Sequence, residues 1–297
     1  MRTTKRFTPA VLRRFARQGR GTGIFDAYQA WHQVSRGDPA SRGRSHIQLW
    51  NGRQHDLLSD GEWVVALFAI MVPGLLDMRA QFPLSLEPGR HELAAYSADY
   101  VGAWAPGTRE LARRLGIEHP VIRDRSEKAD WVPTTDLLLT FTSERGPVLL
   151  AISDKPNNDW QNPRQRELLT IEQAYWRARE VEWLLITPNE YCKAVGLTLR
   201  RTAQWALGPV VSDKDLRFAV AAAHKLQFRS ERLVLETLAQ LLGDLGRAQR
   251  ALWQSIWTGR LPVDLDRGWR NHLPLRHVDL TAFHAQNPIV SRRSAWN

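Results

Sequence analysis

The stretch Thr134-Thr135-Asp136-Leu137-Leu138-Leu139-Thr140-Phe141-Thr142, then Ser143-Glu144-Arg145-Gly146, then Pro147-Val148-Leu149-Leu150-Ala151-Ile152-Ser153-Asp154-Lys155 decides the fold. Each flank is a short apolar run rich in strand formers, and the four-residue link carries a glycine, so the stretch reads as a β-hairpin. Working outward, residues 164–179 have helical periodicity, with Leu168, Ile171, Tyr175 and Ala178 on one side. Residues 182–187 then read as an apolar strand. On the other flank, residues 61–71 place Val64, Leu67, Phe68 and Met71 at helical spacing, and 75–84 alternate as a strand. Ser59 and Glu62 have the spacing of a capping box at the start of that helix. The order from 59 to 187 is helix, three strands, helix, strand. A hairpin makes its strands antiparallel, and the last helix can return the final strand by a right-handed crossover. The fold class is therefore α/β, a mixed sheet flanked by helices.

The flanks differ. Residues 1–46 hold ten Lys or Arg against Asp26 and Asp38, a net +8 out of +10 for all 297 residues. This reads as a basic N-terminal arm suited to a polyanion, and Thr, Pro and Gly interrupt any basic helix in it. Residues 47–187 form the α/β domain, with 85–130 irregular apart from a short helix near 108–115. Residues 188–285 are mostly helical, about 190–206, 213–226, 229–243 and 246–258. An extended stretch and an expected strand pair follow, which suggests a winged helix-turn-helix-like domain. Residues 286–297 lack periodicity and read as a flexible tail. Thirteen Trp and 43% hydrophobic residues support a packed globular chain. No apolar run approaches the roughly 18 residues a membrane helix needs, and no secretory signal is visible. Cys192 is the single cysteine, which excludes a disulfide framework within the chain, fits the cytoplasm, and reads as a small core residue. No Walker A, HExxH or Gly-x-Ser-x-Gly pattern occurs.

The chemistry-bearing residues gather at one end of the hairpin. Asp136 opens its first strand and Lys155 closes its second, so the antiparallel pairing brings them together. Strand alternation turns Ser153 and Lys155 one way and Asp154 the other. Glu62, one turn into the first helix, can reach the same end. Oxygen ligands holding Mg²⁺ beside a lysine are what metal-assisted phosphodiester hydrolysis requires. The arrangement resembles the PD-(D/E)XK nuclease core, which implies a restriction-endonuclease-like sheet.

More specific text surrounds it. Ser41-Arg42-Gly43-Arg44-Ser45-His46, His55 to Glu62, Arg79-Ala80-Gln81-Phe82-Pro83-Leu84, Gly116-Ile117-Glu118-His119-Pro120, Thr134-Thr135-Asp136 and Glu172-Gln173-Ala174-Tyr175-Trp176 resemble the TnsA endonuclease family over about residues 30–187. The resemblance implies a DNA endonuclease subunit of a cut-and-paste transposase that cleaves the 5′ ends of the element, the non-transferred strand. It implies an integrase-fold transposase partner (TnsB-like), and an AAA+ ATPase regulator (TnsC-like) that contacts the C-terminal domain. It assigns Glu62, Asp136 and Lys155 as catalytic, with Mg²⁺, or Mn²⁺ as substitute, on Glu62 and Asp136. The family has Gln two residues before the lysine; here Ser153 stands there, a shorter and weaker ligand expected to contact the metal directly or through a water, or to leave the adjacent backbone carbonyl to ligate instead. Asp154 points away on strand alternation unless a bulge re-aims it.

Arg42, Arg44 and His46, in a polar loop before the catalytic helix, are expected to contact DNA phosphates. Glu172, on the helix after the lysine strand, is expected either to support the site from behind its ligands or to make a surface ion pair. Two other readings share these residues: a stand-alone restriction-like endonuclease, and a non-catalytic DNA-binding scaffold in which Ser153 marks a decayed site.

Overall fold

The structure is a computed structural model that describes residues 6–39, 43–156 and 158–296. Contacts divide the chain into two units: Met1–Val65, Gly74–Thr187 and Ser294–Asn297 form one, Ala66–Pro73 and Pro188–Arg293 the other.

The first unit begins with helix α1 (Pro9–Arg17), capped by the Thr8 hydroxyl and started by a proline at its first position. Strands β1 (His46–Trp50) and β2 (Arg53–Leu57) then make a hairpin. Its turn is Asn51-Gly52, both with positive φ (49° and 75°), the conformation that matches the twist of tight hairpins. Helix α2 (Asp60–Ile70) leads to β3 (Leu75–Pro83), α3 (Thr108–Leu115), and a small hairpin of β4 (Val121–Asp124) and β5 (Glu127–Asp130). The decisive hairpin is β6 (Thr134–Ser143) and β7 (Gly146–Asp154), followed by α4 (Pro163–Arg177) and β8 (Glu182–Ile186). The main sheet has the order β8-β7-β6-β3. Only β7 and β8 run parallel, joined through α4, and the other pairs are antiparallel.

One face of this sheet carries Leu138, Ala151 and Leu185. They share a core with Leu169, Tyr175 and Trp176 of α4, and with Phe82 and Leu84. On the alternate positions Leu137, Leu139, Leu150 and Ile152 are also fully buried. Burial on both faces explains the nearly continuous apolar runs in β6 and β7.

The second unit is helical: α5 (Lys193–Ala206), α6 (Asp213–Lys225), α7 (Glu231–Leu242), α8 (Leu245–Trp257) and the short α9 (Leu280–Ala285). Helix α8 packs against α5, α6 and α7 and buries Ala251, Leu252, Trp253 and Ile256. Among the described residues no helix is long and apolar enough to cross a membrane.

Several expectations are corrected. The described part of residues 1–46 is not a free arm. Phe15 and Trp31 form a buried cluster with Leu12, and Arg20 is buried in an ion pair with Asp38 at 2.5 Å. Trp31 N–H donates to Gln81 O and the Tyr28 hydroxyl to Ala80 O, so this segment is tied to β3. Its aromatic residues outweigh the charge run that suggested an arm. Residues 294–296 are likewise ordered: Ala295 N–H donates to Leu185 O, Leu185 N–H donates to the Ser294 hydroxyl, and Trp296 packs on Trp183 and Trp160. A flexible tail lacks such partners. The strand pair expected after the helices reduces, among the described residues, to two isolated bridges, Ser230 with Pro274 and Val263 with His277, so no regular wing forms. Cys192 is exposed rather than core, because it is the N-cap of α5 and its thiol contacts Asp266.

Candidate active site

The site is built at the end of the sheet where regular pairing stops. The β6–β7 ladder closes with Leu137 opposite Ile152. Beyond it, the Asp136 carboxylate rather than a backbone carbonyl takes the Asp154 N–H, at 2.7 Å. The same oxygen accepts from Lys155 Nζ at 3.2 Å. Lys155 also donates to Asp154 O, and its own N–H pairs with Ile186 O of β8.

On β3, Gln81 faces Asp136, between the paired couples Ala80 with Leu137 and Phe82 with Thr135. Its backbone is left-handed, φ 51°, an uncommon and costly conformation for a side chain other than glycine. Its amide donates to Glu62 Oε2 at 3.0 Å and lies 3.5 Å from Asp136 Oδ1. Glu62 sits at the start of α2. The Ser59 hydroxyl accepts the Glu62 N–H, and the Glu62 carboxylate accepts the Leu58 N–H at 2.7 Å. The capping box thus forms with its return bond one residue earlier than expected, and it pins the carboxylate.

Asp154 differs from its expectation. Its Oδ2 accepts from the Ser59 hydroxyl at 3.2 Å, and its carboxylate lies against Gly61. A Cβ built on Gly61 would stand 2.3 Å from Asp154 Oδ2, so only glycine fits there. Asp154 Oδ1 is buried with no partner. This carboxylate belongs to the acidic group with Glu62 and Asp136. Alternation fails as a guide because Asp154 is the last residue of β7 and Lys155 lies beyond the strand.

Ser153, expected as a metal ligand, is turned elsewhere. It is fully buried, its hydroxyl donates to Glu172 Oε1 at 2.5 Å, and it accepts from Trp183 Nε1. The same Glu172 oxygen also accepts from Thr135 Oγ1 at 2.6 Å. Glu172 is therefore a buried hub beneath the strand ends rather than a surface ion-pair partner. His46 is half-buried, bonded to Asp60 at 2.6 Å and stacked on Trp63 at 4.4 Å, so its ring supports α2. Arg44 is exposed, and Arg42 lies outside the described residues.

The electrostatics follow from this crowding. Burial, then Asp136, pushes Glu62 well above the usual carboxylate value, against the Leu58 N–H. Burial, then Asp136, raises Asp154 to about 7. Burial alone would lower the Lys155 ammonium, but Asp136, Glu172 and Asp154 outweigh it and hold it above the ordinary lysine value. Burial raises Glu172 as well, opposed by Lys155.

As the side chains stand, no three His, Cys, Asp or Glu among the described residues converge closely enough to hold a metal ion. The donor set nevertheless fits one. Glu62 and Asp154, both raised by burial and by the Asp136 charge, join Asp136 as hard oxygen ligands; Lys155 is the cation paired with Asp136, and Asp154 keeps an orphaned buried oxygen. Sequence reasoning missed Gln81 and Gly61 as site residues and read Ser59 only as a helix cap. The hairpin-end geometry offered no signal for Gln81 and Gly61 or for the Ser59 bond to Asp154, because each acts through a tertiary contact.

Two similarities to known proteins bear on this geometry. The family described as TnsA-like endonuclease N terminal matches residues 95–188, a span that contains Asp136, Lys155 and Glu172. The Tn7 transposition protein TnsA of Escherichia coli is 30% identical over 241 residues, covering 79% of this chain and 77% of that protein.

Proposed function

This chain belongs to the TnsA family of transposase endonuclease subunits, and we propose that it cuts the 5′, non-transferred strand at the ends of a transposon. In this reading it works with an integrase-fold transposase (TnsB-like), which handles the 3′ ends, and an AAA+ ATPase regulator (TnsC-like) that docks on the helical unit. The observation that carries the reading is the meeting of Asp136, Lys155 and Glu62 where the strand ladder stops.

Glu62 and Asp136 would hold Mg²⁺, or Mn²⁺ in its place, with Asp154 as third carboxylate in the role first expected of Ser153. The metal when bound lowers the pKa of a water and offsets the charge of the phosphorane-like transition state. Lys155 keeps its proton and presents a fixed positive charge where negative charge develops on the phosphate. Gln81 holds the Glu62 carboxylate in place. Glu172, Ser153 and Thr135 brace the ends of β6 and β7 so that Asp136 and Lys155 are presented together. Arg42, Arg44 and the exposed basic residues of α1 would contact DNA phosphates without reading bases.

The test is a strand-specific nicking assay on labelled transposon-end DNA, with and without Mg²⁺ and the partner transposase. The expected result is a 5′-strand nick that needs both. A nick that persists in excess chelator overturns the metal mechanism. Cleavage of plasmid DNA by the purified chain alone would instead favour a stand-alone restriction-like nuclease.

A further inference from the structure

Arg79 is a buried cation with no protein counter-ion. It is 3% exposed, and its Nε and Nη2 have no hydrogen-bond partner. No carboxylate among the described residues pairs with it. Its guanidinium lies over the rings of Phe82 at 4.7 Å and Tyr96 at 5.2 Å. Ring faces attract the cation but accept none of its in-plane N–H bonds, and a buried charge left in that state is unfavourable. Nε and Nη2 together form the side-on fork of a guanidinium, which matches the two oxygens of a carboxylate or phosphate.

The same residue lines a cavity of about 590 Å³, within the range of small-molecule sites. Phe82, Leu84, Ala95 and Tyr175 give it a largely apolar wall. The other polar groups there are already committed. Glu92 is paired with Arg179, and the Tyr175 hydroxyl donates to Glu92. Both His91 ring nitrogens bond to backbone groups, Nε2 with Arg179 O and Nδ1 with Leu93 N–H. What remains is positive: Arg79 in the wall and the exposed Arg90 beside it.

Arg79 shares its sheet face with Leu138, opposite it in the ladder, and with the α4 core. None of Glu62, Asp136, Asp154 and Lys155 lines the cavity, so it is separate from the site of phosphodiester chemistry.

We propose that this cavity is a binding site for a small organic anion, a carboxylate or phosphate carried on an apolar or aromatic body, with its charged end on the guanidinium of Arg79, whose Nε–Nη2 fork is closed to solvent as the side chain stands and turns to the anion on binding. The apolar wall takes the body, and Arg90 adds attraction at long range.

The experiment is calorimetric titration of the full-length chain with inorganic phosphate, adenosine 5′-monophosphate and phenylacetate at fixed ionic strength. The expected result is saturable one-to-one binding of at least one of the two organic anions, at least tenfold tighter than inorganic phosphate. Arg79→Lys keeps the charge but removes the fork, and weakens that binding at least tenfold. Ala95→Trp, at an exposed position in the cavity wall, blocks it, and it carries the test if the Arg79 variant fails to fold. The proposal is overturned if no probe saturates, or if binding to a folded Ala95→Trp variant equals wild type. Displacement of the probe by duplex DNA would assign the cation to the DNA backbone, and also overturns it.

Discussion

Gln81 and Asp136 face each other across β3 and β6 at the point where the ladder is interrupted, and the left-handed backbone of Gln81 sends its amide to Glu62 and toward Asp136. A single irregular residue thus links the acid on the helix to the acid on the strand.

Gln81→Gly should separate the two roles of this residue. Glycine adopts φ 51° freely, so relief of about 1 kcal/mol of backbone strain should offset part of the lost hydrogen bonding. We expect urea midpoints close to wild type and nicking reduced about tenfold or more, since Glu62 loses a donor. Unchanged nicking would show that the amide does not position Glu62.

Asp136→Asn and Lys155→Ala should each lower nicking by at least about a hundredfold, the scale of removing one charge-stabilising group from a preorganised site. Circular dichroism should show both variants folded. Activity within a few-fold of wild type in either would remove that residue from the catalytic group.

Ser153→Ala should leave metal-dependent nicking within a few-fold of wild type. Stability should fall by about 1–3 kcal/mol, because the buried Glu172 loses a donor. Denaturant titration and the nicking assay read the two effects. Loss of metal binding by calorimetry with stability intact would restore Ser153 as a ligand.

Gly61→Ala should cost about 1–3 kcal/mol through overlap with the Asp154 carboxylate. Adding Asp154→Ala removes the overlapping atoms, so the double variant should be more stable than the sum of the single effects implies. Strict additivity in urea unfolding would show that the two groups do not press on each other.

Acid should destabilise the first unit through two buried histidines. Burial holds His32 and His55 at about 4, below the usual 6.5, with Asp38 opposing the shift at His32. Both are neutral in the fold, so their contribution is complete above pH 6.5 and is lost as pH falls toward 4. Each can account for at most about 3 kcal/mol at 1.36 kcal/mol per unit. His32→Phe, which keeps a ring among Phe7, Phe15 and Trp131, should flatten the curve of urea midpoint against pH between 6.5 and 4. An unchanged curve would place the acid sensitivity elsewhere.

The element order from α2 to β8 was legible in the sequence because its signals are local. Apolar runs, a glycine-bearing link and helical periodicity each lie within a dozen residues, and each names its own element. Asp136 and Lys155 were legible for the same reason, since a hairpin brings the start of one strand to the end of the next whatever surrounds it. Tertiary structure decided the rest. Ser153 and Asp154 differ by one position; alternation turned Ser153 toward the site and Asp154 away, whereas the structure bonds Ser153 to Glu172 and sets Asp154 beside Ser59 and Gly61. The strand ends at Asp154, and contacts from Glu172, Trp183 and Ser59, all distant in sequence, determine where each side chain goes. The burial of Arg20 against Asp38, the return of Ser294 and Ala295 to β8, and the unpaired fork of Arg79 are likewise products of packing. A charge run or a lone arginine has no local period, so only its neighbours in space determine whether it meets solvent, a carboxylate or a cavity.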